Sequence, residues 1–255
     1  VYTSPIIDLT NATSFNSFSW SGSGISTGDG ETASSSSGLV AQWNFNETSG
    51  TTASVATGSC GSTCNGTLTN FSNTSGQDVV PTSGWTGEFK RWGAGAINFD
   101  GTDDYVTVAD NNNLDITSAL TIEAWIRPSD SSTTRTIVGK RDGGPSTVEA
   151  NYAFRIDDNN ATQLEFYYSY SGSWNTYTTT NANIQPGEWA HVVVTHDGSS
   201  PKIYKNGRLL TGSCTTGTCN HTLTADNNSF GIGRPGDYAG HYFKGTIDTV
   251  RIYSR

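Results

Sequence analysis

Apolar and polar residues alternate in short segments along most of this chain. In segments 119–128 and 190–196 the apolar side chains recur at every second position, which is the period of a strand with one buried face. Gly, Asn and Asp are frequent between such segments, and these residues favour turns. From residue 39 onward, roughly a dozen strands follow one another at this spacing, which predicts an all-β sandwich or barrel.

The predicted strands are separated by recognisable turns. Asn206-Gly207 is a dipeptide that favours a two-residue hairpin turn. Residues 47–80 are polar, and we expect them to form a loop. The strands are predicted at 39–45, 95–101, 104–110, 119–128, 136–141, 151–157, 163–170, 174–180, 188–198, 201–210, 229–235 and 242–255.

Residues 1–20 stand out because many large apolar side chains occur in a short segment. A Gly- and Ser-rich linker follows at 21–38, and the compact domain is predicted at 39–255. A single apolar strand must pack on its own domain or add itself to the sheet edge of another copy. We therefore expect an N-terminal arm whose packing residues are Val1, Tyr2, Ile6, Ile7, Leu9, Phe15, Phe18 and Trp20.

The chain is acidic, with a net charge of −9 and a pI of about 4.7. Nucleic-acid binding needs clustered Lys and Arg, and the sequence has no such cluster, so we expect no nucleic-acid partner. No apolar run is long enough to insert into a membrane. The sequence begins at Val1 without Met or a basic leader, and we therefore expect a secreted, extracellular protein after signal cleavage.

The cysteines form two close pairs, for which a zinc site is the alternative to disulfides. Cys60 and Cys64 lie in one polar loop, and Cys214 and Cys219 lie in another. Their spacing differs from the CxxC pattern of zinc sites, and the His residues lie elsewhere. We therefore expect the local disulfides 60–64 and 214–219, although other connectivities are possible. Disulfides indicate an oxidising compartment.

Five longer motifs recur in order from residue 38 to the end of the sequence. They are GLVAQWNFNETSGTTA, INFDGTDDYVTV, ALTIEAWIRP, EWAHVVVTHDGSSPKIYKNGRLL and YFKGTIDTVRIYSR. Together they resemble the bacterial laminin-G-like, concanavalin A-like lectin/glucanase family over residues 38–255. The resemblance implies a jelly roll of two antiparallel sheets. It also implies a class with many carbohydrate-associated modules, whose members often hold a structural Ca²⁺ through acidic residues.

Acidic residues concentrate in one predicted turn. FDGTDDYV places three aspartates together, and two further acids lie after the first strand and on the last one. Ca²⁺ prefers six to eight oxygen ligands, which a turn and an adjacent strand can supply. Asp also favours turns through hydrogen bonds to its own backbone, so turn chemistry is the alternative. The candidate calcium ligands are Glu47, Asp100, Asp103, Asp104 and Asp248.

The ionisable side chains form no recognisable catalytic pattern. Glycosidases on related sandwiches need two carboxylates about 5–9 Å apart, and the ExDxE strand pattern is absent from this sequence. Glu123 is a lone strand acid, and His191 and His196 are spaced so that they face opposite sides of a strand. We therefore expect a protein that is not an enzyme.

Aromatic residues are dense between residues 166 and 177. In a strand, Tyr168 and Tyr170 share one face, whereas Tyr167 faces the other. A sandwich core also needs such residues, so core packing is the alternative to a sugar platform. The candidate platform residues are Tyr168, Tyr170, Trp174 and Tyr177.

Several N-x-S/T sequons occur in the polar loops. The chain is rich in Asn, Ser and Thr, so the sequons are weak evidence of glycosylation. The candidate sites are Asn65, Asn70, Asn73 and Asn220.

Two functions follow from these features. The first is a structural subunit of an extracellular filament, in which residues 1–20 of one copy add a strand to the next and build a head-to-tail homopolymer. The alternative is a lectin-like carbohydrate-binding or adhesion module. Assembly needs an unpaired edge strand, whereas sugar binding needs an exposed aromatic patch. The apolar arm favours assembly.

Overall fold

The computed structural model describes residues 30–78, 83–130, 135–141, 150–157 and 163–255. The predicted arm at 1–20, with all of its packing residues, lies outside these residues. In chain order, the described strands are β1 (Leu39–Trp43), β2 (Thr52–Ala53), β3 (Val55–Thr57), β4 (Gly66–Thr69), β5 (Asn73–Asp78), β6 (Gly84–Thr86), β7 (Ala96–Asp100), β8 (Tyr105–Val108), β9 (Leu120–Pro128), β10 (Arg135–Arg141), β11 (Ala150–Ile156), β12 (Leu164–Tyr170), β13 (Ser173–Thr179), β14 (Ala190–His196), β15 (Lys202–Lys205), β16 (Arg208–Leu209), β17 (Gly212–Thr216), β18 (Phe230–Ile232) and β19 (Lys244–Tyr253).

The strands form two sheets that pack face to face. Sheet A has the order β16-β15-β14-β9-β19-β7-β6-β5, with β1 and β3 joined beside β19. Sheet B has the order β17-β13-β12-β11-β10-β18-β8-β4-β2. The described pairings are antiparallel, apart from the parallel pair β5 and β6. The predicted all-β jelly-roll sandwich is therefore confirmed.

Alternation along the central strands places one row of side chains between the sheets. On β9, Ile122, Ala124 and Ile126 are fully buried, while the residues between them are partly exposed. Trp43 of β1 stacks on Phe230 of β18 across the sandwich, with ring centroids 5.4 Å apart. Burial of each large apolar side chain stabilises the fold by roughly 1.5–3 kcal/mol.

The prediction of a loop at 47–80 is wrong in part, because this stretch contains β2 to β5. These strands are short and rich in Thr, Ser and Gly, so they lack the apolar alternation by which a strand is recognised. The predicted hairpin turn between β15 and β16 is present. Asn206 and Gly207 have φ of 50° and 76°, as a two-residue turn of this kind requires.

Both predicted disulfides are present. Cys60 pairs with Cys64 at a 3₁₀ turn, Gly61–Cys64, and Cys214 pairs with Cys219 at the end of β17. Each bond closes a small local ring.

The last part of the predicted linker lies on the outer face of sheet A. Arg251 of β19 donates from Nη2 to the carbonyl oxygens of Gly30 and Glu31, at 3.0 and 2.5 Å. Gln42 of β1 also donates to the Glu31 carbonyl. A Cβ at Gly30 would collide with the Trp92 ring, so a residue without a side chain is needed there. Among the residues described, no helix has the length and apolar character needed to cross a membrane.

Candidate functional site

An open groove of about 420 Å³ lies on the outer face of sheet B. Its floor is built by β10 to β13, one side by β17, and the other by the segment 234–241 after β18. The described residues that line it are Arg141, Arg155, Tyr167, Trp174, Thr176, Thr216, Tyr238 and His241.

Two neighbouring strands supply the aromatic floor. Alternation on β12 turns Phe166 and Tyr168 into the core and therefore turns Tyr167 outward. Trp174 of β13 is half-buried and meets the Tyr167 ring edge to face, with centroids 5.7 Å apart. Thr176, two positions after Trp174, shares the outer face. The floor thus offers ring surface next to hydroxyl groups.

The segment 234–241 forms a wall because a glycine lets it approach the sheet. A Cβ at Gly139 of β10 would lie 3.1 Å from the Cα of Pro235 and 2.9 Å from the Cβ of Ala153. Without that side chain, Pro235 seats directly on β10, and the chain continues over the groove. Tyr238 then stacks on His241 with ring centroids 5.4 Å apart.

Arg141 stands among three of the groove's rings. Its Cζ lies 4.2 Å from the ring centroid of Tyr238, 5.0 Å from that of Trp174 and 5.6 Å from that of Tyr167. Such contacts attract a guanidinium to the negative faces of aromatic rings. Arg155 of β11 lies over the same Tyr167 ring, at 4.7 Å.

Arg155 has a nearly buried counter-ion. Its Nε donates to Oε2 of Glu165 at 2.5 Å, and Glu165 also accepts a hydrogen bond from Thr178. Burial raises the pKa of the Glu165 carboxyl above its usual value, and the attraction to Arg155 only partly offsets this. Glu165 is 6% exposed, so it supports the groove without lining it.

Only part of the predicted aromatic platform is available to a ligand. Tyr168 and Tyr177 are packed in the core, and including them was wrong, because their strand positions face inward. Tyr170 is 37% exposed and stacks on His221 outside the groove, with centroids 4.2 Å apart. Trp174 alone of the four lines the groove. Alternation predicts the outward position of Tyr167, but Tyr167 is not among the predicted platform residues, although it lines the groove.

The acidic turn brings three of the five candidate calcium ligands together. Carboxylate oxygens of Asp100, Asp103 and Asp104 lie within 4.8 Å of one another. Asp104 is fully buried, its Oδ2 accepts from the Asp100 backbone N–H at 2.7 Å, and its Oδ1 has no hydrogen-bond partner among the described residues. Burial raises the pKa of Asp104 to about 7. These oxygen donors fit a hard cation such as Ca²⁺, and calcium binding stays a prediction.

Glu47 and Asp248 are not part of that cluster, which corrects the five-ligand set. Glu47 accepts a hydrogen bond from the Ser54 backbone N–H at 2.6 Å. Asp248 is fully buried and accepts from the backbone N–H groups of Arg91 and Trp92, at 2.6 and 2.9 Å. Both carboxylates therefore anchor loops of their own.

Glu123 and His191 meet on the outer face of sheet A. Glu123 is bonded to Arg251, and its other oxygen lies 3.8 Å from Nε2 of His191. Burial lowers the pKa of His191 below its usual value. His196 points to the opposite side and packs against Phe166, as its spacing predicts.

A buried ammonium group, which no sequence pattern indicates, lies at one end of the sandwich. Lys140 of β10 has no exposed side-chain surface. Its Nζ lies 2.8 Å from Asp110, 2.9 Å from Asp115 and 2.7 Å from Asp226. It also donates to the Asp226 backbone oxygen at 2.9 Å. The acids come from two distant loops, so their meeting depends on the fold.

The candidate glycosylation residues differ in exposure. Asn70 and Asn220 are exposed, whereas Asn65 and Asn73 are partly buried. Oδ1 of Asn65 accepts a hydrogen bond from the Val55 backbone N–H at 2.9 Å. A glycan attached to Asn65 would have to preserve this hydrogen bond. Glycosylation stays a prediction at all of these positions.

A family model described as the concanavalin A-like lectin/glucanases superfamily matches residues 100–255, which is more than half of the chain. No curated protein matches this chain.

Solved structures share the fold at low sequence identity. Domain 4 of the extracellular GH43 arabinanase AbnA from Geobacillus stearothermophilus, in complex with arabinotriose, is 21% identical with a TM-score of 0.54, covering 86% of this chain and 93% of that one. Trypanosoma rangeli sialidase in complex with the inhibitor DANA is 16% identical with a TM-score of 0.54, covering 88% of this chain and 31% of that one. The binding domain of botulinum neurotoxin serotype D is 13% identical with a TM-score of 0.55, covering 86% of this chain and 48% of that one. At these sequence identities, the similarities show a shared fold and do not show a shared function.

Proposed function

The chain belongs to the concanavalin A-like lectin/glucanases superfamily, and from this premise we propose that it is an extracellular, non-catalytic carbohydrate-binding module. The groove on the outer face of sheet B is its binding site. The observation that carries the proposal is the combination of Tyr167, Trp174 and Tyr238 with polar groups in one open groove. Aromatic rings pack against the apolar faces of sugars, and the adjacent donors and hydroxyls bind sugar hydroxyl groups.

The arabinanase domain supports this proposal, because it shares the fold along 93% of its length and its structure contains arabinotriose. The family's fold serves many functions, so the argument for this chain rests on its own groove. The groove's volume of about 420 Å³ is within the range of small-ligand sites.

Binding without catalysis is supported by the groove's lining. Glycoside hydrolysis uses two carboxyl groups that flank the bond to be cleaved. The described residues that line the groove include no Asp or Glu, and the nearby Glu165 is held by Arg155. We therefore propose that saccharides are bound and released unchanged.

Replacing Trp174 by Ala tests the proposal. The binding of arabinose, dextran and galacturonate oligosaccharides would be measured by calorimetric titration of the full chain. We expect Trp174→Ala to weaken the binding of the recognised saccharide by at least about tenfold, because a central aromatic contact contributes more than about 1 kcal/mol.

Tyr170→Ala is the matched control, since Tyr170 is an exposed aromatic residue outside the groove. It should leave the affinity unchanged. Equal losses in the two variants, or no loss in either, would show that the groove is not the binding site.

Filament assembly through residues 1–20 is a second candidate. One observation favours it. β17 (Gly212–Thr216) is an edge strand of sheet B, and among the described strands it is hydrogen-bonded to β13 alone. Such an edge can accept a further strand. Light scattering of the full chain and of a chain lacking residues 1–29 tests it, because assembly requires that only the full chain form large particles.

A further inference from the structure

The hairpin of β15 and β16, at the edge of sheet A, carries positive charge in an acidic chain. Its segment 201–210 contains Lys202, Lys205 and Arg208 and no Asp or Glu, whereas the whole chain has a net charge of −9. The charge of Lys202 acts on Asp197. Lys205 donates from Nζ to a backbone carbonyl oxygen at 2.5 Å, and Arg208 is exposed. Lys205 and Arg208 have no carboxylate partner among the residues that the structure describes.

A groove of about 680 Å³ lies between this hairpin and residues 180–183, which follow β13 of sheet B. Lys205 and Arg208 line it, together with Asn181 and Asn183. The described residues of its lining include no Asp or Glu. The hairpin groove therefore presents two cations and neutral polar groups to a ligand.

The backbone of Leu209 is open at the edge of the sheet. Lys205 and Arg208 are the bonded pair that closes the two-residue turn, and the Leu210 N–H donates to the Ile203 carbonyl at 2.9 Å. Leu209 lies between these two bonded pairs, so its own N–H and C=O point away from β15. Sheet A ends at β16, and no described strand lies on that side. Leu209 thus offers one donor and one acceptor to a further strand.

Alternation gives the two faces of this edge different chemistry. Leu209 lies opposite Tyr204 on the outer face of sheet A, and its side chain is 54% exposed. Arg208 and Lys205 lie on the other face, towards the hairpin groove. An extended chain beside β16 therefore meets an apolar side chain on one face and two cations on the other.

The charge of the hairpin selects the kind of strand that can pair with it. Pairing of two β16 strands would bring the cations of both hairpins together, and like charges across a strand pair are destabilising. Lys and Arg at a sheet edge discourage self-association in this way. A strand that carries carboxylates has the complementary charge.

We propose that the β16 edge binds an extended acidic peptide segment of another protein, antiparallel to β16. The segment exchanges backbone hydrogen bonds with Leu209 and packs an apolar side chain beside it. A carboxylate on its other face enters the hairpin groove and pairs with Arg208 and Lys205. An anionic polysaccharide or a lipid surface would use the cations but does not continue a sheet edge.

Fluorescence anisotropy of a labelled peptide tests the proposal on the full chain. The probe peptide alternates Glu and Val, and the basic control peptide carries Lys in place of every Glu. We expect the probe to bind at least about tenfold more tightly than the basic control, because only its carboxylates pair with the hairpin cations. High NaCl should narrow the difference. Failure of the probe to bind would overturn the proposal and leave saccharide binding on sheet B intact.

Methylation of backbone nitrogens tests the pairing with Leu209. In an antiparallel pair, the residue bonded to Leu209 has its side chain on the same face, so it is a Val of the probe. A probe with N-methyl-Val should bind at least about fivefold more weakly, because it loses the hydrogen bond to β16. The matched control has N-methyl-Glu and should keep its affinity, since its methyl groups point away from β16. Equal affinities of the two methylated probes would contradict edge pairing.

Arg208→Gln tests the charge pairing. It should weaken binding of the probe by at least about threefold, which is the scale of an ion pair at an exposed position. Lys90→Gln is the control, because Lys90 is exposed in the loop between β6 and β7, at the other end of the strand order. Equal losses in the two variants would show that the probe responds to net charge alone. Tighter binding of dextran sulfate or of phosphatidylserine vesicles than of the probe, with loss in Arg208→Gln, would also overturn the proposal.

Discussion

Lys140 is fully buried, which is unusual for a lysine side chain. Its ammonium group is enclosed by Asp110, Asp115 and Asp226 and has no exposed surface. Burial alone would lower the pKa of Lys140, but the hydrogen bonds to these carboxylates raise it above the usual value. Lys140 therefore stays charged, and it holds the loops of Asp110 and Asp226 to the end of β10.

Replacing Lys140 by Met leaves three carboxylates together without a cation. We expect the free energy of unfolding to fall by roughly 3–5 kcal/mol, which is typical when one partner of a buried ion pair is removed. Urea denaturation at neutral pH measures the change. Lys202→Met, at an exposed position of β15, should change it by less than about 0.5 kcal/mol. Equal effects of the two substitutions would contradict a structural role for Lys140.

A bulge in β19 ties a loop to sheet A. The register of β19 against β9 shifts between Asp248 and Val250, and Thr249 between them has a φ of 48°. The bulge accompanies an Asp248 side chain that reaches the backbone N–H groups of Arg91 and Trp92. Arg91 then lies over the ring of Trp125, with Cζ 4.8 Å from its centroid. One buried carboxylate thus docks the loop before β7.

Burial of the Asp248 carboxyl makes the stability depend on pH, and the hydrogen bonds from Arg91 and Trp92 only partly offset the effect of burial on its pKa. Burial raises the pKa of Asp248 to about 6 from an ordinary value of 3.8, so the folded state takes up a proton that the unfolded state does not bind. The contribution of Asp248 to stability is therefore present below pH 3.8 and is lost as the pH rises through about 6. The shift corresponds to roughly 2–4 kcal/mol.

Asp248→Asn removes the titration and keeps a similar shape. We expect the stability of this variant relative to the original chain to rise by roughly 2–4 kcal/mol between pH 4 and pH 7, as measured by urea denaturation across that range. Asp197→Asn is the control, because a hydrogen bond from Ser199 lowers the pKa of that exposed Asp197 carboxyl. Parallel stability curves for Asp248→Asn and the original chain would contradict the account.

At the scale of the molecule, the two outer faces differ. On sheet A, Gly30 and Glu31 lie against Arg251, and the loop with Arg91 and Trp92 lies against Trp125. On sheet B, the described residues leave a groove open over β10 to β13. The asymmetry supports the proposal that a ligand binds on sheet B, because the outer face of sheet A is covered by these segments.

The fold could be predicted from the sequence because its main strands alternate apolar and polar residues over long runs, as β9 does with Ile122, Ala124 and Ile126. The binding groove could not. Arg141, Trp174 and Tyr238 lie far apart in the chain and meet only through strand order and the approach of Pro235 to Gly139. Alternation indicates which face a side chain occupies, but it does not reveal which face another segment will cover.

Hydrogen exchange of the full chain with and without a bound oligosaccharide tests the central claim most directly. We expect slower amide exchange on ligand binding in β12, β13 and residues 234–241, with exchange in β14 and β15 of sheet A unchanged. Protection confined to sheet A, or to the turn around Asp100, would contradict the assignment of the groove as the binding site.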